Sequence, residues 1–259
     1  MKVFEAHIIT LRSLTATSKT LMGPFHSARL AALTHLEKLV VDFATEGLTT
    51  QKLALKLIAQ ASRKLTNLTL TSLPRIDIPL LRLIADTFPC LVDLHLSCTE
   101  RLDFHCWNCY EESLGCTTHS PVPGMFYDTR DMAIIFAKNL KPLKCLTRLH
   151  LGIYLSDEML IQYHIDHAED DAQPFGPEQC LLCEGAANQV RLRELTAALE
   201  LAQSLKALTA IGFSSFFDDS GGHHSNSRNA GGWLNETTVY VLRKNGRLKV
   251  RKTPWSNVV

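Results

Sequence analysis

The chain is 259 residues long and carries 27 Lys and Arg against 26 Asp and Glu, a formal net charge of +1. That balance argues against nucleic acid or another polyanion as partner, because neutralising phosphates needs a basic excess. Hydrophobic residues make up 46% and charged residues 20%, which excludes disorder as the dominant state and is enough for a large core. Leucine accounts for 41 residues and cysteine for 8.

The first ten residues hold one Lys and a short apolar run without a cleavage pattern, so no secretory signal is expected. No stretch approaches the roughly 18 apolar residues of a bilayer span. A cytoplasmic or nuclear protein without membrane contact is predicted. Its cysteines are then thiols or metal ligands rather than disulfides. Asn67-Leu68-Thr69 and Asn235-Glu236-Thr237 match a glycosylation sequon, and without secretion both are chance matches.

In chain order, the leucines fall into segments of the form L-x-x-L-x-L. Clean copies are Leu36 to Val41, Leu65 to Leu70, Leu91 to Leu96 and Leu146 to Leu151. Weaker copies are Leu11 to Ala16 and Leu205 to Ala210. The middle residues 14, 39, 68, 94, 149 and 208 are 25, 29, 26, 55 and 59 apart. The first three intervals fit a leucine-rich repeat, and the last two each hold a degenerate copy or an insertion.

Helical patterns precede these segments. Gln51 to Lys64 places Leu53, Leu57, Ile58 and Ala61 on one face. Asp77 to Phe88 carries Pro79 in its first turn, then Leu80, Leu83, Ile84 and Phe88. Thr129 to Leu140 has a capping hydroxyl with Ile134, Ile135 and Ala137, and Asn188 to Leu205 is the longest. The predicted class is α/β: a leucine-rich-repeat solenoid with a curved parallel sheet, helices on its convex side and a C-terminal β-hairpin cap. Alternate strand leucines face the helices and the residues between them face the concave side.

These segments, with Phe88-Pro89-Cys90-Leu91-Val92-Asp93-Leu94-His95-Leu96, the run Ile211 to Phe217 and the tail through Trp255, give the chain its likeness. It resembles fungal leucine-rich-repeat proteins of the F-box type. The resemblance covers the repeat region and implies a fold rather than an activity. Family members dock a ubiquitin-ligase adaptor through an N-terminal helical module. No such segment is recognisable here, so an adaptor is expected as partner only if an F-box module lies outside this chain.

Two predicted insertions, 102–124 and 164–185, interrupt the unit 1–217. They hold Cys106-Trp107-Asn108-Cys109 and Cys180-Leu181-Leu182-Cys183. Each C-x-x-C can present two thiolates to a tetrahedral ion, so Cys106, Cys109, Cys180 and Cys183 are candidate ligands of a structural zinc. A local set of Cys106, Cys109, Cys116 and His119 is the alternative, and free thiols are the bland one. Neither motif opens a helix of a thioredoxin-like unit, which argues against redox chemistry. Cys90, Cys98 and Cys145 read as small core fillers. Residues 218–232 read as a flexible loop. Residues 233–259 read as the hairpin cap: Thr237 to Leu242 and Arg247 to Lys252 flank the turn Asn245-Gly246. Arg243, Lys244, Arg247, Lys249, Arg251 and Lys252 are expected on its exposed side, with Trp233 and Trp255 packed on the end of the solenoid.

No G-x-S-x-G, G-x-x-x-x-G-K or G-x-G-x-x-G occurs, so no enzyme activity is expected. The leading expectation is a non-enzymatic scaffold that binds a protein partner on the concave face. Its candidate residues are Lys38, Val40 and Asp42; Asn67, Thr69 and Thr71; Asp93, His95 and Ser97; and Arg148 and His150. Thr69, His95 and His150 should share one row. The alternatives are a substrate receptor of a ubiquitin ligase and a metal-dependent enzyme built on the Cys- and His-rich insertions.

Overall fold

The computed structural model describes residues 10–17, 33–43, 63–73, 76–98, 128–155, 181–215 and 235–252. They form one mixed α/β unit around a single eight-stranded sheet of order β1 to β8. The strands are β1 (Ser13–Thr17), β2 (Lys38–Asp42), β3 (Asn67–Leu73), β4 (Asp93–Cys98), β5 (Arg148–Tyr154), β6 (Ala210–Ser215), β7 (Asn235–Lys244) and β8 (Arg247–Arg251). Three helices lie between strands: α1 (Ile78–Thr87) after β3, α2 (Thr129–Leu140) after β4 and α3 (Leu181–Ser204) after β5. Strands β1 to β6 run parallel, and β7 and β8 close the order as antiparallel neighbours.

The parallel strands pair residue for residue as far as Leu70 of β3 and Leu151 of β5, beyond which the register shifts. Leu14, Leu39, Leu68, Leu94, Leu149 and Ile211 stand side by side across six strands. A backbone ladder fixes that register just before each strand. The carbonyl of Arg12 accepts from the amides of both Glu37 and Lys38, and the carbonyl of Glu37 from Thr66 and Asn67. The same double acceptance recurs from Thr66 to Val92 and Asp93, from Val92 to Thr147 and Arg148, and from Thr147 to Thr209 and Ala210. Thr66, Thr147 and Thr209 add their hydroxyls, donating to the same carbonyls of Glu37, Val92 and Thr147 at 3.0–3.1 Å.

This register moves the last segment by three residues. Ile211, not Leu208, is the partner of Leu149. The sixth copy is therefore Leu208 to Phe213, and Leu205 belongs to the turn that precedes it. Its counterparts there are Leu33, Phe88 and Leu143, each buried, with its carbonyl accepting from the amide three residues on.

One face of the sheet is apolar because side chains alternate along a strand. Leu39 and Val41, Leu68 and Leu70, Leu94 and Leu96, Leu149 and Leu151, and Ile211 and Phe213 are all buried. They share one core with Leu80, Leu81 and Ile84 of α1, Met132, Phe136 and Leu140 of α2, and Ala198, Leu201 and Ala202 of α3. The caps are acidic rather than hydroxylic. Asp77 accepts from the amide of Leu80 at 3.0 Å with Pro79 in the first turn, and Asp128 accepts from the amide of Asp131 at 2.8 Å. Thr129, expected as the cap of α2, is instead its buried first residue. Ile134 points outward, and Ala133, Phe136 and Ala137 take the core. Cys90 and Cys145, expected in the core, are exposed in the turns ahead of β4 and β5, where the buried partners are Leu91 and Leu146.

The α3 helix begins at Leu181, so its first turn takes in the end of the segment expected as an insertion, Cys183 included. The hairpin β7–β8 forms as expected. Asn245 and Gly246 both have positive φ, 53° and 72°, as a two-residue turn of this hand requires. Its cations are not all solvated. The Arg243 guanidinium donates to the carbonyls of Ala202, Leu205 and Leu208, satisfying acceptors left at the C-terminal end of α3. Lys252 pairs with the fully buried Glu194 of α3, whose other oxygen accepts from the Thr237 hydroxyl at 2.8 Å. Among the described residues, no helix is long and apolar enough to cross a membrane.

Removing one partner of a buried ion pair strands the other charge, which costs about 3–5 kcal/mol. Lys252→Ala is expected to lower unfolding free energy in urea by that amount, whereas Arg247→Ala, exposed on the same hairpin, stays within about 0.5 kcal/mol. Leu94→Ala, at the centre of the leucine row, is expected to lose about 2–5 kcal/mol in the same assay.

Candidate functional site

The second face of the sheet carries the residues between the leucines. Among the described residues no element covers it. The register sorts them into rows. Lys38, Asn67, Asp93 and Arg148 make the first, Val40, Thr69, His95 and His150 the second, and Asp42 and Thr71 begin a third. The expected row of Thr69, His95 and His150 is thus formed.

Within these rows several polar groups are satisfied locally. Arg148 meets Asp93 at 2.6 Å across β4 and β5. The Thr71 hydroxyl donates to Asp42 at 3.2 Å. Asn67 accepts from the Thr66 hydroxyl at 2.8 Å. Lys38 is exposed at the start of β2.

The second row contains a tighter cluster. The imidazoles of His95 and His150 stack with centroids 4.1 Å apart and planes 14° from parallel. Their Nε2 atoms lie 3.9 and 3.7 Å from one Oε1 of Glu236, on β7. Strand β6 separates β5 from β7, so the His150 ring must lean across it. It does so over Gly212: a Cβ at that position would fall 2.3 Å from His150 Nδ1. A missing side chain on β6 thus makes the bed for the ring. The three donor atoms lie within 4.8 Å of one another.

Burial governs the charge of the pair. The His150 side chain is 13% exposed and that of His95 27%, while Glu236 is 63% exposed. Desolvation, with repulsion from His95 second, pushes His150 down to about 3. Desolvation also lowers His95, against the opposing pull of Glu236 and Asp93. Both imidazoles are therefore neutral at pH 7.

Sequence reasoning found His95 and His150 but missed Glu236 and Gly212. Glu236 was visible only inside a chance sequon, and its approach depends on the antiparallel pairing of β7 with β6, which aligns it with Ser214. The hairpin turn announced two paired strands but not the strand they join. Of the expected zinc ligands, Cys106, Cys109 and Cys180 lie outside the described residues. Cys183 is in the first turn of α3. The loop 218–232, Trp233 and Trp255 also lie outside them.

Comparison of the chain with models of known protein families, with curated proteins and with solved structures gives no match.

The sign of the pH dependence follows from the lowered histidines. The unfolded chain binds a proton at His150 below its ordinary value of 6.5, and the folded chain resists it down to about 3. Stability from this group is present above pH 6.5 and is lost as pH falls through that window. His150→Gln is expected to flatten the fall in unfolding free energy between pH 7.5 and pH 5 by about 1–2 kcal/mol. Denaturation at the two pH values, with wild type alongside, checks it. An unchanged slope would mean that His150 is not held neutral.

Proposed function

We propose that this chain is a non-enzymatic interaction scaffold of the leucine-rich-repeat type, which binds a protein partner on the open face of its parallel sheet. The single observation that carries the reading is the unstaggered register. It presents Asn67, Asp93 and Arg148, with Thr69, His95 and His150, as two straight polar rows on a face that no described element covers.

A sheet face built on rigid strands holds its side chains without further ordering cost, which favours recognition. Asp93 with Arg148 and Asp42 with Thr71 are already paired, so there the face contributes hydrogen-bonding edges rather than bulk charge, and a partner would find specificity in them. The segments of L-x-x-L-x-L and their spacing of 25 to 29 residues support the repeat reading, as does the apolar face of β2 to β6, which shares one core with the three described helices. On that reading the hairpin is the terminal cap, since β7 pairs with the last parallel strand.

Site-directed photocrosslinking in cells tests this. A benzophenone side chain at Thr69 reports the open face, and one at Lys138 reports the outer surface of α2. Crosslinks to one discrete protein from Thr69, absent at Lys138, are expected. They should disappear when Asp93, His95, Arg148 and His150 are replaced together by Ala, at unchanged melting cooperativity. Crosslinks of equal yield from both positions, or from Lys138 alone, would move the binding surface elsewhere.

A further inference from the structure

We infer that His95, His150 and Glu236 form a binding site for a single divalent transition-metal ion of the zinc, cobalt or nickel kind. This goes beyond the scaffold reading and does not depend on it.

Three features of the cluster point to a metal rather than to a casual grouping. First, the donors come from three strands of one sheet, β4, β5 and β7, so the backbone holds them in place before any ion arrives. Second, both Nε2 atoms lie near the same carboxylate oxygen, at 3.9 and 3.7 Å, longer than hydrogen bonds would be. Two donors at about 2.0–2.1 Å from a tetrahedral ion stand about 3.3–3.4 Å apart. The two nitrogen–oxygen separations need to contract by about half an ångström to reach that spacing, and Glu236 is 63% exposed and has room to swing. Third, Gly212 leaves out the one side chain that would displace His150 from this position.

The donor chemistry selects the ion. Two imidazole nitrogens and one carboxylate suit borderline divalent ions. Calcium and magnesium want six or more oxygens and are disfavoured. Burial keeps both rings in the neutral form that offers a lone pair. Coordination of one ion by both rings requires their planes to open from the 14° stack, because each lone pair lies in its own ring plane. Three protein donors leave at least one position for water or for a carboxylate or imidazole of a docked protein. That position opens on the same face as Thr69 and Arg148.

Cobalt(II) titration of the full-length chain tests the site. The probe is the metal alone. Cys106, Cys109, Cys116, Cys180 and Cys183 are first changed to Ser, so that neither candidate thiolate set can imitate the result. One equivalent of cobalt is expected to bind with visible d–d absorption and no sulfur charge-transfer band. Loss of a residue that merely supports a ligand costs about 10–100-fold in affinity, so loss of a ligand itself, in Glu236→Gln or His95→Gln, should weaken binding at least tenfold. Gly212→Ala should weaken it too, through displacement of His150. If a histidine variant fails to fold, the exposed Glu236→Gln still decides the matter. Paramagnetic broadening in the unsubstituted histidine cluster gives a readout that needs no site variant: amide signals of β4, β5 and β7 should broaden and those of β1 and β2 should not. No bound cobalt, equal affinity in Glu236→Gln, or broadening centred elsewhere would overturn the assignment. None of these outcomes bears on the photocrosslinking test, which is run with chelator present.

Discussion

The structure hangs on one backbone device. At each parallel junction, a single carbonyl just before the strand accepts two successive amides of the next segment, from Arg12 through Glu37, Thr66, Val92 and Thr147 to Ala210. This ladder removes stagger. A one-residue slip at any junction would turn leucines outward and polar residues inward, because strand side chains alternate. Burial and hydrogen bonding therefore specify the same register. Threonine is well suited to the first ladder position of Thr66, Thr147 and Thr209, since its hydroxyl adds a second bond to the same acceptor. The spacing between segments can vary from 25 to 62 residues without moving the strand itself, because the ladder is made only where the segment arrives.

Everything on the uncovered face follows from that register. Asp93 and Arg148 pair because their segments align residue for residue, not because they are near in sequence. His95 and His150 stack for the same reason. The hairpin then brings in Glu236 from an antiparallel strand, which no alignment of the parallel segments would have placed there. Its anchoring is electrostatic as well as apolar. Arg243 meets the carbonyl end of α3, and Lys252 meets the buried Glu194 of the same helix. Holding β7 against α3 fixes the strand that carries Glu236.

Much of this was legible in the sequence, for a physical reason. A leucine pair two residues apart, repeated at regular intervals, suits a strand with one buried face, and Asn245-Gly246 suits a tight turn. The rows of Thr69, His95 and His150 followed from alignment of those leucines. What failed to show were features set by three-dimensional neighbours. Leu205 and Leu208 are both buried leucines ahead of β6, and composition could not tell which of them opens the last repeat segment; the pairing of Leu149 with Ile211 decides it. Cys90 and Cys145 flank buried leucines yet face outward, because a turn rotates its side chains in a way that strand alternation does not describe. Arg243 and Lys252 looked like a solvated stripe, and only the position of α3 gives them work. Gly212 carried no signal at all, since its importance lies in a ring that comes from another strand.

The two polar clusters on the uncovered face differ in one respect that locates the chemistry. Asp93 and Arg148 complete each other: a carboxylate and a guanidinium at 2.6 Å leave little to offer a newcomer beyond their outer edges. The histidine cluster is not complete in this sense. Its two rings are neutral, they stack on each other, and their nitrogens face a carboxylate oxygen at distances too long for hydrogen bonds. Desolvation lowers His95 against the nearby carboxylates of Glu236 and Asp93, and lowers His150 with repulsion from His95 adding to it. Protonation would satisfy the carboxylate but is opposed by burial. A divalent cation satisfies both requirements at once, because it brings positive charge to Glu236 without placing a proton on either imidazole. The same burial that denies the rings a proton therefore favours them as ligands.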